Sequence, residues 1–282
     1  MNLTVRFLKR VIRQPVALVA ATWLLLVVAA SLTAPVLAPY DPEFVDITKA
    51  LEPPSREHLL GTDDIGRDVL SRLVFAGRIS LMAAIMAVGV AVALGLPLGL
   101  ISGYFGGWVD QVIMRINDTL MSFPALILAV ALIGFLGPSL RNAMLAVGLV
   151  FAPRIMRVVR GSTLSVREED YIAASRVTGA TPFFIAHRHL LRNIASPVIV
   201  QITLSVGIAM LAESSLSFLG LGVQPPQASW GSMLRRGFSY MQFGVHLVLA
   251  PGLVLMSVVL ALNVLGDALR DALGRDPGRV QA

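Results

Sequence analysis

Four long runs without a charged residue constrain the fold of this chain more than any other feature. No Asp, Glu, Lys or Arg occurs within 14–40, 79–109, 119–140 or 238–265. Only 14% of the residues are charged, against about 25% in a soluble domain. A helix that crosses the hydrocarbon core of a membrane needs roughly 20 apolar residues, and each run is long enough. Because the runs lack the alternation of barrel strands, the sequence predicts an all-α integral membrane protein.

Six apolar segments have the length that a membrane-spanning helix requires. Prolines interrupt several of them, and membrane helices tolerate this when neighbouring helices or waters satisfy the freed carbonyl groups. The first segment is longer than the apolar region of about 7 to 15 residues in a signal peptide, so we predict an uncleaved span. The predicted spans are 16–38, 79–103, 109–136, 140–160, 197–220 and 246–269.

The distribution of basic residues predicts the orientation of these spans. Six spans put both termini on one side, together with a basic segment at 154–192. That side carries more Lys and Arg than the other, and such residues collect on the cytoplasmic side. We therefore predict cytoplasmic termini and attribute the net charge of +6 to this bias. Membrane lipid, and no nucleic acid, is expected among the partners of the chain. The basic residues on the predicted cytoplasmic side are Arg6, Lys9, Arg10, Arg13, Arg154, Arg157, Arg160, Arg167, Arg176, Arg188, Arg192, Arg270, Arg275 and Arg279.

The segment Ser165–Pro197, which we call the elbow, is the only sizeable polar insert rich in arginine in the second half of the chain. Ser165, followed three residues later by Glu168, has the pattern of a capping box and predicts a helix start. Gly179 predicts the end of that helix, because glycine suits the left-handed conformation found there. Small residues at 173–175 would let a partner approach the helix closely.

A second elbow helix is predicted to start with Thr181 as its N-cap and Pro182 at its first position. It should end near Asn193, because Ser196 and Pro197 repeat the start signal at the fifth span. The elbow is thus predicted to be a helix–turn–helix. It either offers a surface to a soluble partner or only covers the end of the helix bundle.

The elbow resembles the coupling loop of ATP-binding-cassette (ABC) importer permeases. The pattern of that loop is Glu-Ala-Ala, a Gly four residues after the last Ala, then Arg-His and Leu-Pro-Asn. Ala173 and Ser175 stand where Glu and the second Ala are usual, and Arg192 stands where Pro is usual. The matching residues are Tyr171, Ala174, Gly179, Arg188, His189, Leu191 and Asn193.

Three further segments are similar to the C-type permease of the dipeptide, oligopeptide and nickel branch of this family. They are LGTDDIGRDVLSR with GRISL at 60–81, AESSLSFLGLGVQPP at 212–226 and SWGSML at 229–234. The resemblance implies a type I importer permease with a cytoplasmic coupling helix in the bacterial cytoplasmic (inner) membrane. We expect a first part at 1–78, with the tail, first span and external loop. A core permease domain at 79–282 would hold five spans and the coupling loop 161–196.

The same resemblance implies the partners of the chain. It would form half of a heterodimeric pore with a B-type permease, served by two ABC ATPases and an extracytoplasmic solute-binding protein. ATP and Mg would bind to the ATPases, because the chain has no GxxxxGK[ST] loop, and no cofactor, metal or catalytic residue is expected in it. Dipeptides, oligopeptides, nickel chelates, haem and glutathione-like compounds remain open as substrates.

The resemblance also implies which residues couple the chain to the ATPases. These are Tyr171, Ala173, Ala174, Ser175, Gly179, Ala180, Arg188, His189 and Asn193.

Glu213 is the one carboxylate deep in a predicted span, and such a residue indicates a function by default. The resemblance puts it, with Ser214 and Ser217, on the translocation path. A structural pair with an Asn, a Ser or an Arg of another helix is the second interpretation. Glu213 also leaves open a proton-coupled secondary transporter, and a further alternative is a non-transporting scaffold that anchors an ATPase.

The predicted external loop contains a cluster of acidic residues and glycines. A calcium loop needs a longer set of alternating ligands, so Asp63, Asp64 and Asp68 are predicted to cap and fix a loop or a helix start. A pair between Arg115 and Asp118 is predicted in the third span. The resemblance implies that this loop contacts the binding protein or the partner permease. The residues concerned are Gly61, Asp63, Gly66, Arg67 and Asp68.

Overall fold

The computed structural model describes residues 14–274, and the regular structure in this range is helical. Five helices are long and apolar enough to cross a membrane, and a bent pair would make a sixth span, which confirms the predicted all-α membrane fold. The helices are α1 (Pro15–Leu32), α2 (Ala34–Leu37), α3 (Val69–Phe105), α4 (Gly107–Met121), α5 (Ala125–Leu136), α6 (Leu140–Arg167), α7 (Asp170–Val177), α8 (Pro182–Ile185), α9 (Leu191–Phe218), α10 (Trp230–Ser239) and α11 (His246–Gly274).

The helix α3 begins at Val69, well before the predicted start at 79. Asp68 caps it, because the Asp68 carboxylate accepts a 2.7 Å hydrogen bond from the backbone N–H of Ser71. The predicted external loop is therefore shorter, and residues 69–78 form the first turns of α3. Asp68 was one of three aspartates predicted to fix a loop or a helix start, and the structure confirms a helix start for Asp68.

The helix α6 also extends beyond its prediction, from 160 to Arg167. The Arg167 side chain donates a 3.0 Å hydrogen bond to the carbonyl of Gly103 near the end of α3, which anchors the last turn. Ser165 therefore lies inside α6, and the capping box predicted at Ser165 is wrong. The next helix, α7, begins after Glu169, which makes no side-chain cap.

The third span is not one continuous helix, as predicted, but two helices, α4 and α5, that meet at an angle of 92°. Pro124 stands at the break, where it lacks an N–H for the helix ladder and restricts the residue before it. Asp118 on α4 pairs with Arg157 on α6 at 2.9 Å, so the predicted pair with Arg115 is wrong.

The centre of the bundle is the contact between α3 and α6. Gly95, Gly99 and Gly103 recur every fourth residue on α3 and face α6. A Cβ added to Gly99 would lie 2.7 Å from the carbonyl oxygen of Met156, so the two backbones are almost in contact. Small residues at such spacing let membrane helices pack closely. The helices α9, α11 and α1 pack around this pair.

The bundle has two ends. The elbow end holds the end of α3, the end of α6 and the elbow. The far end holds the loops 38–68 and 219–245, which are joined by a 2.9 Å ion pair between Arg236 and Asp64.

The orientation prediction also used cations outside the described residues. These are Arg6, Lys9, Arg10, Arg13, Arg275 and Arg279.

Candidate functional site

The turn of the elbow follows the sequence closely. The helix α7 ends at Val177, and Gly179 follows with a φ of 81°, the left-handed conformation predicted for it. The hydroxyl of Thr181 then accepts a 3.3 Å hydrogen bond from the N–H of Phe184 and caps α8, which has Pro182 at its first position. Both predictions about this turn are confirmed.

The second elbow helix does not end near Asn193, as predicted. After α8 the chain makes a π-helical turn at Ala186–Leu190 and continues directly into α9. Pro197 lies inside α9, so the predicted start signal there is wrong. A proline in a helix interior removes one hydrogen bond, which a membrane helix tolerates. The whole helical stretch from Pro182 to Phe218 spans 37 residues, or about 55 Å.

The elbow has a small hydrophobic core of its own, which the sequence analysis missed. Ile172, Ile185 and Leu190 are completely buried and pack against Leu100 and Tyr104 of α3. The available signal was these apolar residues within a segment that also carries many charged residues. The core fixes the elbow to the end of α3, so the elbow is a structured unit and not a loose connection.

A cation–π contact strengthens this attachment. The guanidinium of Arg176 lies 5.1 Å from the centre of the Tyr104 ring. Arg167 adds a hydrogen bond to the carbonyl of Gly103 and a 2.8 Å ion pair with Glu168. Two elbow arginines thus contact α3 from α6 and α7, and a displacement of the elbow would move these helices together.

Four of the residues implied in ATPase coupling form one polar cluster. The Ser175 hydroxyl donates a 2.8 Å hydrogen bond to the carbonyl of Tyr171 and lies 3.4 Å from Nε2 of His189. The Tyr171 and His189 rings are 5.8 Å apart, and the Asn193 side chain donates to the His189 carbonyl at 2.8 Å. This cluster joins α7 to the start of α9. Of the other implied residues, Ala173, Ala174, Gly179 and Arg188 are exposed and Ala180 is half-buried.

The elbow also exposes large apolar side chains next to its cations. Val177 is 89% exposed, Phe183 is 80% exposed and Phe184 is 50% exposed. Arg188 and Arg192 are exposed on the following helix. Apolar side chains exposed together on a polar segment mark an interaction site more often than a plain solvent face. The surface therefore suits a protein partner.

Glu213 lies at the other end of α9 and is completely buried. Its Oε1 atom accepts a 2.7 Å hydrogen bond from the Ser217 hydroxyl, and its Oε2 atom is 3.4 Å from the hydroxyls of Ser80 and Ser214. The Ser80 hydroxyl in turn accepts a 3.1 Å hydrogen bond from the backbone N–H of Trp230. These residues, which we call the Glu213 cluster, join α3, α9 and α10. Serine was one of the predicted partners of Glu213, but nothing in the sequence indicated Ser80 or Trp230.

The predicted loop residues at the far end lie together. Oδ1 of Asp63 accepts hydrogen bonds from the N–H groups of Ile65 and Arg67, at 3.1 and 3.0 Å, and Oδ2 pairs with the Arg67 side chain at 2.7 Å. Gly61 and Gly66 both have positive φ, and Gly66 is packed against the backbone of residue 46.

A histidine that the sequence analysis did not single out completes this loop. The Nδ1 atom of His58 lies 3.0 Å from the Asp68 carboxylate, which also accepts from the Ser71 hydroxyl. Asp64 instead pairs with Arg236 across the far end. Asp63 and Asp68 thus fix the loop, as predicted, whereas Asp64 connects it to α10.

Comparisons with known proteins agree with this architecture. A family model described as "Binding-protein-dependent transport system inner membrane component" matches residues 95–278. A second model, described as "N-terminal TM domain of oligopeptide transport permease C", matches residues 2–54. The two matches together cover most of the chain.

The chain is 42% identical over 268 residues to the glutathione transport system permease protein GsiD of Pectobacterium atrosepticum, covering 95% of this chain and 89% of that protein. It is 41% identical over 223 residues to the dipeptide transport system permease protein DppC of Alkalihalophilus pseudofirmus, covering 79% and 73%. A solved inward-facing structure of the MetNI methionine ABC transporter superposes with a TM-score of 0.59 at 21% identity, over 71% of this chain and 95% of that one. That likeness shows the fold.

These findings confirm the resemblance stated from the sequence, and they do not support a proton-coupled secondary transporter that uses Glu213. The chain is a multi-pass transport subunit and not an enzyme, and ATP hydrolysis belongs to separate subunits. Such a permease works with a partner permease, ATPases and a binding protein. The chain therefore belongs to the family of binding-protein-dependent transport system inner membrane components, as a permease subunit of an ABC importer.

Proposed function

We propose that this chain is the C-type permease of an importer for small peptides, a class that includes dipeptides and glutathione. The names of its relatives support this substrate class, since one is a glutathione permease and another a dipeptide permease. The pore would be a heterodimer with a B-type permease. Two ATPases would bind ATP and Mg, and an extracytoplasmic binding protein would deliver the solute.

The continuity between the elbow and α9 is the observation that carries the coupling mechanism. The elbow has its own buried core, and its second helix runs without a break into α9. A packed core moves as a unit, because its interior is dense. When ATP binding closes the ATPases, the elbow would move with them and transmit that motion along α9. The proposed ATPase contacts are Tyr171, Ala173, Ala174, Ser175, Gly179, Ala180, Arg188, His189 and Asn193.

The Glu213 cluster is the proposed receiver of this motion. Because Glu213 connects α9 to α3 and α10, movement of α9 would carry both helices with it. We propose that Glu213, Ser214 and Ser217 belong to the wall of the translocation path. The loop of Gly61, Asp63, Gly66, Arg67 and Asp68 would contact the binding protein or the partner permease.

The proposal orients the chain in the bacterial cytoplasmic membrane. Both termini and the elbow would be cytoplasmic, and the far end would face outward, as the distribution of basic residues supports. Ala173 and Arg192, which depart from the family pattern, are both exposed. We expect that the ATPase surface facing Ala173 lacks the partner that the usual Glu would need. The ATPase surface facing Arg192 would accommodate the extra cation of that residue.

Single cysteines test this orientation, because the chain has no cysteine of its own. Val177→Cys places a thiol on the elbow, and Ile47→Cys places one in the far-end loop, where Ile47 is 75% exposed. In intact spheroplasts, a membrane-impermeant maleimide should label Ile47→Cys and not Val177→Cys. In the assembled importer, Val177→Cys should cross-link to an ATPase. Labelling of Val177→Cys from outside would contradict the proposal.

Uptake by the reconstituted importer tests the function. The complex of both permeases, the ATPases and the binding protein is placed in proteoliposomes with ATP inside, and uptake of glutathione and dialanine is measured. Val177→Asp should abolish uptake, because a carboxylate on the elbow surface opposes burial of that surface against the ATPase. Ile47→Asp is the matched control and should keep uptake. If the wild-type complex imports neither glutathione nor dialanine, the proposed substrate class is wrong.

A further inference from the structure

A cavity of about 480 Å³ opens at the far end of the bundle, between the loop 61–72 and α10. Its volume falls within the range of about 300 to 1,000 Å³ that is usual for small-molecule sites. Its charged lining residues are Asp63, Asp64, Arg67, Arg72, Arg235 and Arg236. Four guanidinium groups thus face two carboxylates, and the cavity has an excess of two positive charges.

Both carboxylates are already occupied by ion pairs. Asp63 pairs with Arg67 at 2.7 Å and with Arg72 at 3.6 Å, and Asp64 pairs with Arg236 at 2.9 Å. Among residues 14–274, no carboxylate pairs with Arg235. Arg67 and Arg72 share the carboxylate of Asp63, so one of the two excess charges lies on that group and the other lies on Arg235. Arg72 is buried and already donates to the carbonyl of Pro42, so the exposed Arg235 is the guanidinium that is available to a ligand.

The backbone around Arg235 makes room for its side chain. Gly220 has a φ of 83°, and a Cβ at this position would lie 3.0 Å from Cζ of Arg235. A side chain at 220 would be strained in this left-handed conformation, and the guanidinium of Arg235 would have to move away from it. The glycine thus lets the guanidinium of Arg235 lie close to the backbone at the cavity wall, and a planar guanidinium can bind a carboxylate through two hydrogen bonds.

The cavity also contacts the Glu213 cluster. Ser217 lines the cavity, and its hydroxyl donates to Glu213 at 2.7 Å while it accepts a 3.3 Å hydrogen bond from the N–H of Val223. A ligand in the cavity would therefore lie next to the residues that connect α9 to α3 and α10. This places ligand binding close to the part of the bundle that receives motion from the elbow.

We propose that this cavity is a binding site for the free carboxylate of a small solute, with Arg235 as its main ligand. The inference rests on the proposed function, because peptides carry such a carboxylate, and it deepens it by naming the group that is recognised. The site would hold the solute at the outer mouth of the bundle before the solute passes between the permeases.

Arginine modification tests the site without requiring transport. The purified importer, without its binding protein, is treated with phenylglyoxal, and modification of Arg235 is measured by mass spectrometry. Dialanine should protect Arg235, and alanyl-alaninamide, which lacks the carboxylate, should not. Arg56 is an exposed reference in the far-end loop and should react equally in every sample. No protection by dialanine would overturn the proposal.

A second sample distinguishes two sources of the carboxylate. The modification is repeated with the unloaded binding protein and no peptide. If Arg235 is protected only in this sample, the cavity binds an acidic side chain of the binding protein, and the proposal of a solute site is overturned. If free peptide alone protects Arg235, the solute is the source.

Substitution gives an independent readout. Arg235→Gln should lower the efficiency of peptide uptake by about tenfold, since a hydrogen bond to a charged group is lost. Arg56→Gln removes the same charge from the same end and should leave uptake unchanged. The affinity of the binding protein for each peptide is measured separately, so that its contribution to the uptake efficiency can be distinguished from that of the permease. Normal peptide uptake by Arg235→Gln would overturn this inference and leave the proposed function intact, whereas a wild-type complex that imports no peptide would overturn the function.

Discussion

Arg160 on α6 binds both carboxylate oxygens of Asp110 on α4, and both N–O distances are 2.6 Å. The Ser102 hydroxyl of α3 donates to the same carboxylate. Because α4 meets α5 at an angle of 92°, α4 lies obliquely to the bundle, and this three-helix contact helps to hold it there together with the exposed pair of Asp118 and Arg157. Bidentate guanidinium–carboxylate pairs are among the strongest hydrogen-bonded contacts in proteins.

Asp110→Asn should therefore destabilise the protein by about 2 kcal/mol, because one charged partner of a partly buried pair is lost. The measurement is the apparent melting temperature of the detergent-solubilised protein. The control is Asp118→Asn on the same helix, whose pair with Arg157 is mostly exposed and should contribute less than about 1 kcal/mol. Equal losses in the two variants would show that the Asp110 contact does not hold α4.

The glycines of α3 make the second prediction. Gly99→Ala should destabilise the bundle by about 1 to 3 kcal/mol, because its Cβ would lie 2.7 Å from the Met156 carbonyl and from the Val159 side chain. Gly89 on the same helix has no neighbouring atom within 4 Å of a Cβ, so Gly89→Ala should be neutral or slightly stabilising. Thermal aggregation of the two variants in one detergent gives the comparison. A Gly99→Ala variant as stable as Gly89→Ala would contradict the close backbone contact.

Hydropathy alone was enough to predict five spans, because an apolar segment of about 20 residues has few alternatives in a folded protein. It could not predict the break between α4 and α5. Pro124 was visible, but a proline inside an apolar run is compatible with a slight kink as well as with a 92° turn. The ion pair of Asp110 with Arg160 helps to hold α4 in its oblique position, and residue spacing does not reveal it because these residues are 50 positions apart.

Local start and stop signals had mixed success in the elbow. Gly179 and Thr181 were predicted correctly because only their immediate neighbours determine the turn. Ser165 failed because contacts of Arg167 with α3 continue the helix through it. Likewise, Ser80 could not be assigned to Glu213, since the two are 133 positions apart. Tertiary contacts of this kind are not encoded in residue spacing.

Glu213 allows a test that separates shape from charge. Glu213→Gln keeps an oxygen that can accept from Ser217 and fills the same volume, so the variant should fold and retain most uptake. Glu213→Ala leaves a cavity and removes the acceptor of the Ser80 and Ser217 hydroxyls, so it should lose about 2 to 4 kcal/mol of stability and all uptake. Melting temperature and proteoliposome uptake are measured together. A Glu213→Gln variant that folds but does not transport would mean that the carboxylate charge itself acts in transport.

The turn of the elbow provides the last prediction. Gly179 has a φ of 81° and no neighbouring atom within 4 Å of a Cβ, so a substitution there changes the backbone and not the packing. Gly179→Val should reorient α7 relative to α8, because a β-branched residue is strained by about 1 to 3 kcal/mol in this conformation.

The importer with Gly179→Val should still assemble in the membrane and hydrolyse ATP, but uptake should no longer follow hydrolysis. Gly179→Asn should be close to wild type, because asparagine tolerates the left-handed region. Gly161→Ala is the control, because Gly161 lies in the regular helix α6 and, like Gly179, has no neighbouring atom within 4 Å of a Cβ. This variant should change neither ATP hydrolysis nor peptide uptake. The measurement is the ratio of peptide imported to ATP hydrolysed in proteoliposomes. If that ratio is unchanged in Gly179→Val, the geometry of the turn does not transmit force, and the elbow couples through α9 alone.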